Sequence, residues 1–510
     1  MGIVITFGVL AAFFAAVVLI LQRSYVADRN FSDFTVAGRS FGGFYQAMAF
    51  LNTYLPGTVF ISSVGFVAGS GAVGIGILSI MLAPLVMYLM ADRVWVWGAA
   101  YDLRTQPDLM ALRFDSRAIR IIAALIGVAG LFPWMVLGMQ SLGAVFHALS
   151  LGHLDFTTSV VLGVAVMTVR QAWTIRMGMR GIVISDLFQG IVAYGVGSVL
   201  VIAVIAWLHA GGASLAAVPP GRLALPGPGT PMPLLFFSLT LLPLLCSLCW
   251  PDLFVRLYTG SGIRSVKRSS AYCAPIALVF MSGLYFMAML ALGRPDVAAA
   301  PDEAWFTLTL AAGGPWLLAL AGTVVFAASM GNIDATVQSS GAQIANDVLA
   351  ALRRDGRPMS QRALIVASQI AMAAITFGAA FIACLPLPSL FTVALFAFQL
   401  MVQISVPLYF GIFTRFGNRE GAIASMLSGI AVAGTLQVLW PVGVPWAYGL
   451  TAGTVALVLN VTVYVAAGLL LPKTAGERAR LDALFATAAD AGNAIRRDRA
   501  PGRPSPSATA

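Results

Sequence analysis

The chain has 510 residues, 59% hydrophobic and only 10% charged, with 30 Lys and Arg against 20 Asp and Glu for a net charge of +10. So few charges cannot cover a water-soluble protein, which carries about 25% charged residues, and disorder, collagen and a disulfide scaffold are excluded by the same figures. What remains is a polytopic helical membrane protein, whose positive balance follows from basic loops on the inner side of a bilayer rather than from nucleic-acid binding.

Residues 2–22 form the first apolar run. It exceeds the ~7–15 residues of a signal-peptide core. No positive charge precedes it and Arg23 follows, which predicts a spanning helix with its N-terminus outside. Roughly 20 apolar residues cross the hydrocarbon. By that measure thirteen spans are expected: 2–22, 41–68, 72–92, 118–148, 156–173, 181–207, 234–258, 271–292, 305–346, 363–384, 388–412, 421–440 and 446–471. The stretch 305–346 is long, and its last part is expected to run out of the membrane or bend. With the N-terminus outside, 28 of the 30 basic residues fall on the inner side; only Arg222 and Arg294 do not. That alternation supports a multi-pass protein of the cell membrane with a cytoplasmic C-terminus. The loop at 208–233 contains PPGRLALPGPG and should be irregular. The tail from 472 begins as a charged helix and ends in a Pro/Ser/Ala stretch.

The second span reads AFLNTYLPGTVFISSVGFVAGSG. Pro56 removes a backbone donor and Gly57 gives a flexible point beside it. Asn52, Thr53, Thr58, Ser62 and Ser63 cluster around this point. A helix unwound at mid-depth can direct free carbonyls and N–H groups at a cation or a carboxylate. A Pro kink in a packing helix accounts for the segment equally well.

The seventh span, LLPLLCSLCWPDLFVRLYTG, is interrupted by Pro243 and Pro251. Two interrupted helices at corresponding places in two halves point to a binding site at a repeat interface. Spans 2–6 and 7–11 would be the inverted halves. Cys246 and Cys249 form C-x-x-C inside this apolar run and read as small apolar fillers, since zinc and redox pairs need a polar, accessible setting. Asp252 and Arg256, four residues apart, read as an ion pair at the helix end. The three histidines, His147, His153 and His209, suggest no metal site.

The ninth span reads FAASMGNIDATVQSSGAQIANDVL. Asn332, Thr336, Ser339 and Gln343 recur on one helical face, and Asp334 and Gln338 form a second polar pair. Lipid tolerates neither, so both should face protein or water, as a solute pathway or as interhelical hydrogen bonding. Asp186, in RGIVISDLFQGIV, shares a face with Gln189 and either pairs with an arginine or lines an ion exit.

These segments resemble the sodium:solute symporter family. FTVAGRSFGGF is similar to the family's F-x-x-A-G-R-S before the second span. DLRTQPDLMALRFDS resembles its T-x-P-(E/D) loop, SDLFQGIV its T-D-x-x-Q, and WPDLFVR its P-x-x-x-x-R. AASMGNIDATVQSSGAQIAND and FTRFGNREGAIASMLSG resemble two further family segments. Six in order, over roughly residues 34–430, carry the resemblance. It implies an all-α, LeuT-type five-plus-five inverted-repeat core with discontinuous helices 2 and 7, and secondary transport of a small solute by alternating access. On that basis the chain divides into an extra helix and loop (1–40), a core (41–412), two extra helices (413–471) and a cytoplasmic tail (472–510).

The resemblance also implies a sodium held by carbonyls of the broken second helix and two hydroxyls of the ninth, hence at Asn52, Leu55 and Asn332. The two hydroxyl positions are Gly331 and Asn332 here, and Tyr54 and Pro56 stand where proline symporters have a carboxylate and a serine. Gly331 offers no side-chain ligand and Asn332 one amide oxygen. Asp334 or Asp186 could instead carry a proton, or Asn332 could fill the site as an internal donor and leave transport uncoupled. Substrate is expected between spans 2, 4, 7 and 11, at Asn52, Thr53, Leu55, Gly57, Gln140 and Trp250. The coupling ion, Na+ or H+, is expected at Asn332, Asp334, Thr336 and Asp186. The expected partners are a small organic acid or amino acid, a coupling cation and the bilayer, with no other cofactor. A transporter-fold sensor signalling through a partner protein is the alternative; an enzyme is not expected, because no nucleophile–base or metal constellation is found.

Overall fold

The computed structural model describes residues 1–23, 30–227, 229–230, 232–353, 358–387 and 390–497. Of the positions used above, Arg29, Arg354, Arg357, Arg499 and Arg503, together with the Pro/Ser/Ala tail and parts of the loops at 24–29, 228, 231 and 388–389, lie outside the described residues. Every regular element among the described residues is helical, apart from two isolated bridges, Phe41 with Gly260 and Val444 with Leu450.

Ten helical stretches are long and apolar enough to cross a membrane, or eleven with the bent pair Leu235–Cys246 and Pro251–Thr259. Thirteen spans were expected. The difference lies in two long runs, Gly57–Ala100 and Phe156–Ala210, of 44 and 55 residues. At 1.5 Å per residue these measure about 66 and 82 Å, against a hydrocarbon core of about 30 Å. Each contains a backbone break at a glycine. Gly71 has φ 67° and ψ −140°, and Gly178 has φ 58° and ψ −163°. Both conformations lie where a side chain is strained.

The ninth span breaks near its start. Gly313 and Gly314 leave helical geometry before Pro315, and the far end continues through a widened turn at Ile344–Leu349. Helix starts follow side-chain capping: Thr105, Ser116, Asp155, Ser360 and Asn418 each accept from a backbone N–H of the first turn. The TQPD segment thus becomes the short helix Gln106–Phe114, with Pro107 in its first turn.

The distribution of polarity is inverted relative to a soluble protein. Leu85, Leu89, Val199, Ile202, Phe377, Phe381, Val438 and Leu470 are exposed, whereas Asn52, Arg170, Asp186, Gln189, Arg256 and Asp334 are buried. An apolar exterior of this kind suits lipid contact. The helix Ala304–Gln343 runs through the middle and packs against Gly2–Arg23, Gly57–Ser70, Arg117–Leu149 and Gln361–Ala383. Near one end of the bundle, Arg120 ion-pairs with both Asp108 and Asp347, and Asn346 donates to Asp108 at 2.9 Å. That cluster ties three helices together.

Three arginines counted above as loop charges are instead buried with partners. Arg113 donates to the carbonyls of Gly411, Thr414 and Phe416. Arg170 pairs with Asp334 and Arg256 with Asp186. Sequence spacing alone shows none of these partners, which lie on other helices.

Candidate functional site

The second span is discontinuous. The helix Gly43–Tyr54 ends, Leu55 and Pro56 are extended or irregular, and a new helix begins at Gly57. Pro56 has no N–H to continue the ladder. Gly57 sits so close to the central helix that a Cβ there would lie 2.1 Å from Ser329 Oγ and 2.2 Å from the Val325 carbonyl. The Leu51 carbonyl still accepts from the Leu55 N–H, and carbonyls around the break are contacted from other helices. The Tyr194 hydroxyl lies 2.8 Å from the Leu51 carbonyl and 2.7 Å from that of Leu55. Asn332 Nδ2 donates to the Thr53 carbonyl at 2.9 Å.

The seventh span repeats the arrangement. Its helix stops at Cys246, restarts at Pro251 and bends by 44°. The Tyr409 hydroxyl donates to the Leu245 carbonyl at 2.8 Å. Gln106 Nε2 lies 3.0 and 2.9 Å from the carbonyls of Leu248 and Cys249. At each break one tyrosine and one carboxamide satisfy the freed backbone, as a buried peptide group requires. Cys246 and Cys249 are buried free thiols.

Both breaks open onto one cavity of about 80 Å³. Thr53, Tyr54 and Pro56 reach it from the first break, and Trp250, Asp252 and Leu253 from the second. Trp134, Trp250 and Phe398 form an edge-to-face trio with centroids 5.4 to 5.9 Å apart on its wall. Three buried polar atoms of lining residues have no hydrogen-bond partner among the described residues: Tyr54 Oη, Trp134 Nε1 and Asn332 Oδ1.

Behind the cavity lies a polar layer. Arg256 Nη2 donates to Asp186 Oδ2 at 3.0 Å and to Thr53 Oγ1 at 2.8 Å. Asn52 Nδ2 donates to Asp186 Oδ1 and to Gln189 Oε1, both at 3.0 Å. Further along the central helix, Asp334 pairs with Arg170 and accepts from Gln171 at 2.9 Å and Thr174 at 2.8 Å.

Of the expected substrate residues, Thr53 and Trp250 line the cavity. Asn52 belongs to the layer behind it, Leu55 gives its carbonyl to Tyr194, and Gly57 packs against the central helix. Gln140 lies elsewhere: it lines a second cavity of about 910 Å³ with His147, Asp302 and Glu303, and donates to the Ala383 carbonyl at 3.3 Å. Of the expected ion residues, Asn332 lines the central cavity. Asp186 and Asp334 are engaged by arginines, and the Thr336 hydroxyl bonds back to the carbonyls of Asn332 and Ile333. The expected Asp252–Arg256 pair does not form. Arg256 is taken instead by Asp186 and Thr53. Sequence reading missed Trp134, Asp252 and Phe398 as lining residues, and Tyr194, Tyr409 and Gln106 as caps.

Residues 34–429 match the Sodium:solute symporter family. The chain belongs to that family. It is a multi-pass membrane protein and a secondary transporter, not an enzyme. This symporter is 25% identical over 493 residues to the uncharacterized symporter YhjB of Bacillus subtilis (strain 168), covering 92% of this chain and 97% of that one. It is 26% identical over 458 residues to the uncharacterized symporter YwcA of the same organism, covering 84% and 85%. Among solved structures it resembles a substrate-bound, outward-open Na+-coupled sialic acid symporter, with a TM-score of 0.73 at 16% identity over 92% of this chain and 98% of that one. It also resembles Mhp1, a nucleobase-cation-symport-1 family transporter in a closed conformation, with a TM-score of 0.50 at 15% identity over 89% and 99%. These likenesses give the symporter a LeuT-like fold.

Proposed function

We propose that this symporter carries a small polar solute through the cavity shared by the two broken helices, by alternating access and coupled to a Na+ or H+ gradient. The observation that carries this reading is that both breaks, Tyr54–Gly57 and Cys246–Pro251, contribute to one cavity. Polar groups and open backbone at membrane depth are costly unless protein satisfies them or they line a water-filled pathway.

The reading takes thirteen crossings. The two over-long runs each cross twice, turning at Gly71 and Gly178, and the bent pair crosses once. The N-terminus then lies outside and the C-terminus in the cytoplasm. Residues 41–412 form the inverted-repeat core, preceded by an extra helix and loop at 1–40 and followed by two extra helices at 413–471 and a tail at 472–510. Solute contacts fall to Thr53 and Trp250. For the coupling ion we retain Asn52 and Asn332, since each keeps an Oδ1 without a partner among the described residues, and an amide oxygen is a suitable hard-cation ligand. The Na+ coupling of the sialic acid symporter of similar fold supports the coupling, not the solute.

The test is solute uptake into proteoliposomes under an imposed sodium or proton gradient. Uptake that follows one gradient and collapses when it is dissipated is expected. Equilibration indifferent to both gradients would refute the coupling, and absence of uptake across broad solute classes would refute transport.

A further inference from the structure

We propose that the solute presents an ammonium group to the central cavity, with Asp252 as its counter-ion and the rings of Trp134, Trp250 and Phe398 as its wall; this rests on the transport reading above. Asp252 is only 2% exposed and lines the cavity. Its Oδ1 accepts from the N–H of its neighbour Leu253 at 2.9 Å, and no ion pair to it forms among the described residues. Arg256, the nearest cation in sequence, is committed elsewhere: its two terminal nitrogens contact Asp186, Thr53 and the Met179 sulfur.

A carboxylate withdrawn from water without a cation is strongly penalised. No Lys, Arg or His lines this cavity among the described residues, and Arg256, whose charge also acts on Asp252, is ion-paired to Asp186 behind it, so the cavity side of the carboxyl is open to a cation carried by the ligand. The other groups agree. Asn332 donates one amide N–H to the Thr53 carbonyl, and its Oδ1 has no partner among the described residues. The hydroxyls of Tyr54, Ser62, Ser63 and Ser238 can each donate or accept, and those of Ser63 and Ser238 already accept from Tyr285 and Thr451. One carboxyl, the Asn332 amide oxygen and the ring faces together suit a cation bearing N–H or N-methyl groups. An organic acid would meet Asp252 with like charge. Of the two solute classes expected from sequence, the acid loses support and the amine-bearing one gains it.

The experiment uses the full chain in proteoliposomes and detergent. Labelled ethanolamine, choline, glycine and acetate are offered for uptake, and thermal stabilisation is compared for choline and its neutral carbon isostere. Uptake of at least one ammonium compound without acetate is expected, with choline stabilising the protein more than the isostere. In Asp252→Asn the apparent affinity for the transported compound should fall by about a hundredfold, as expected when one partner of a buried charge pair is removed. The isostere comparison needs no variant, so a poorly folded Asp252→Asn leaves the proposal exposed to test. Acetate uptake that survives Asp252→Asn would overturn the proposal while leaving transport intact. Equal stabilisation by choline and its isostere, or glycine uptake unaffected by Asp252→Asn, would overturn it too. Loss of gradient dependence in Asp252→Asn with solute affinity unchanged would make Asp252 a coupling residue and likewise overturn it. If no compound of any charge is taken up, the transport reading itself falls.

Discussion

Asn52 occupies the space that any side chain at Gly331 would need. A Cβ at position 331 would lie 1.7 Å from Asn52 Nδ2 and 2.7 Å from Asp186 Oδ1. The absent side chain and the carboxamide therefore complement each other, and the polar layer behind the cavity depends on both. Gly331→Ser should lower the melting temperature, at a cost of about 1–3 kcal/mol for overpacking. Combining it with Asn52→Ala should recover most of that loss. Thermal melts of the four proteins in detergent check this; a single Gly331→Ser that melts like the parent contradicts the packing described.

Arg256 and Asp186 are both fully buried and 3.0 Å apart. Removing one partner leaves an uncompensated charge, which costs about 3–5 kcal/mol. Arg256→Gln and Asp186→Asn should each be strongly destabilising and their combination less than additive. A double-mutant cycle on unfolding measures the coupling. Purely additive effects would mean that the pair is not formed in the membrane.

Asp334 meets Arg170, Gln171 and Thr174 inside the bundle. Asp334→Asn alone should destabilise, whereas Asp334→Asn with Arg170→Gln should largely recover stability and keep the parent's ion dependence. Uptake under separate sodium and proton gradients reads the second part. A changed ion preference in the double variant would return Asp334 to the coupling machinery.

Asn332 should behave differently. Its Oδ1 is unpartnered and its residue lines the cavity, so Asn332→Ala should weaken the dependence of uptake on the coupling gradient by about tenfold or more, the size of one good ligand interaction. Titrating the coupling ion at fixed solute concentration measures it. An unchanged half-saturation would remove Asn332 from the ion site.

Tyr194→Phe and Tyr409→Phe each remove a hydroxyl from buried carbonyls. Each should cost about 1–3 kcal/mol. Hydrogen exchange should quicken first around Tyr54–Gly57 in one variant and around Cys246–Pro251 in the other. Uniform loss of protection would argue against local capping.

Much of this was legible in the sequence, for local reasons. Pro56 and Pro251 mark the two interruptions because proline cannot donate to a helix ladder, whereas Pro243, also expected to interrupt the seventh span, lies inside the helix Leu235–Cys246; the polar face of the ninth span follows from helical period. Relations across helices were not legible. Asp252 and Arg256 lie four residues apart, yet Arg256 pairs with Asp186 and donates to Thr53 on other helices, which spacing does not show. Gln140 lies on the fourth span as expected but at a level that opens on the larger cavity. Gly313 and Gly314 sit in an unbroken apolar stretch, where hydropathy does not register a change of direction. Tyr194 and Tyr409 carried no signal, since a tyrosine in an apolar run is ordinary and its carbonyl partners lie more than a hundred residues away in sequence.

The hydroxyl of Tyr194 lies almost equidistant from two carbonyls one turn apart. One proton shared between two acceptors resists pivoting less than a single directed bond, because rotation that lengthens one contact shortens the other. The first interruption is thus built like a swivel with its bearing supplied from a different helix. In the alternating-access motion proposed above, tilting about that point need not leave a peptide oxygen bare in hydrocarbon.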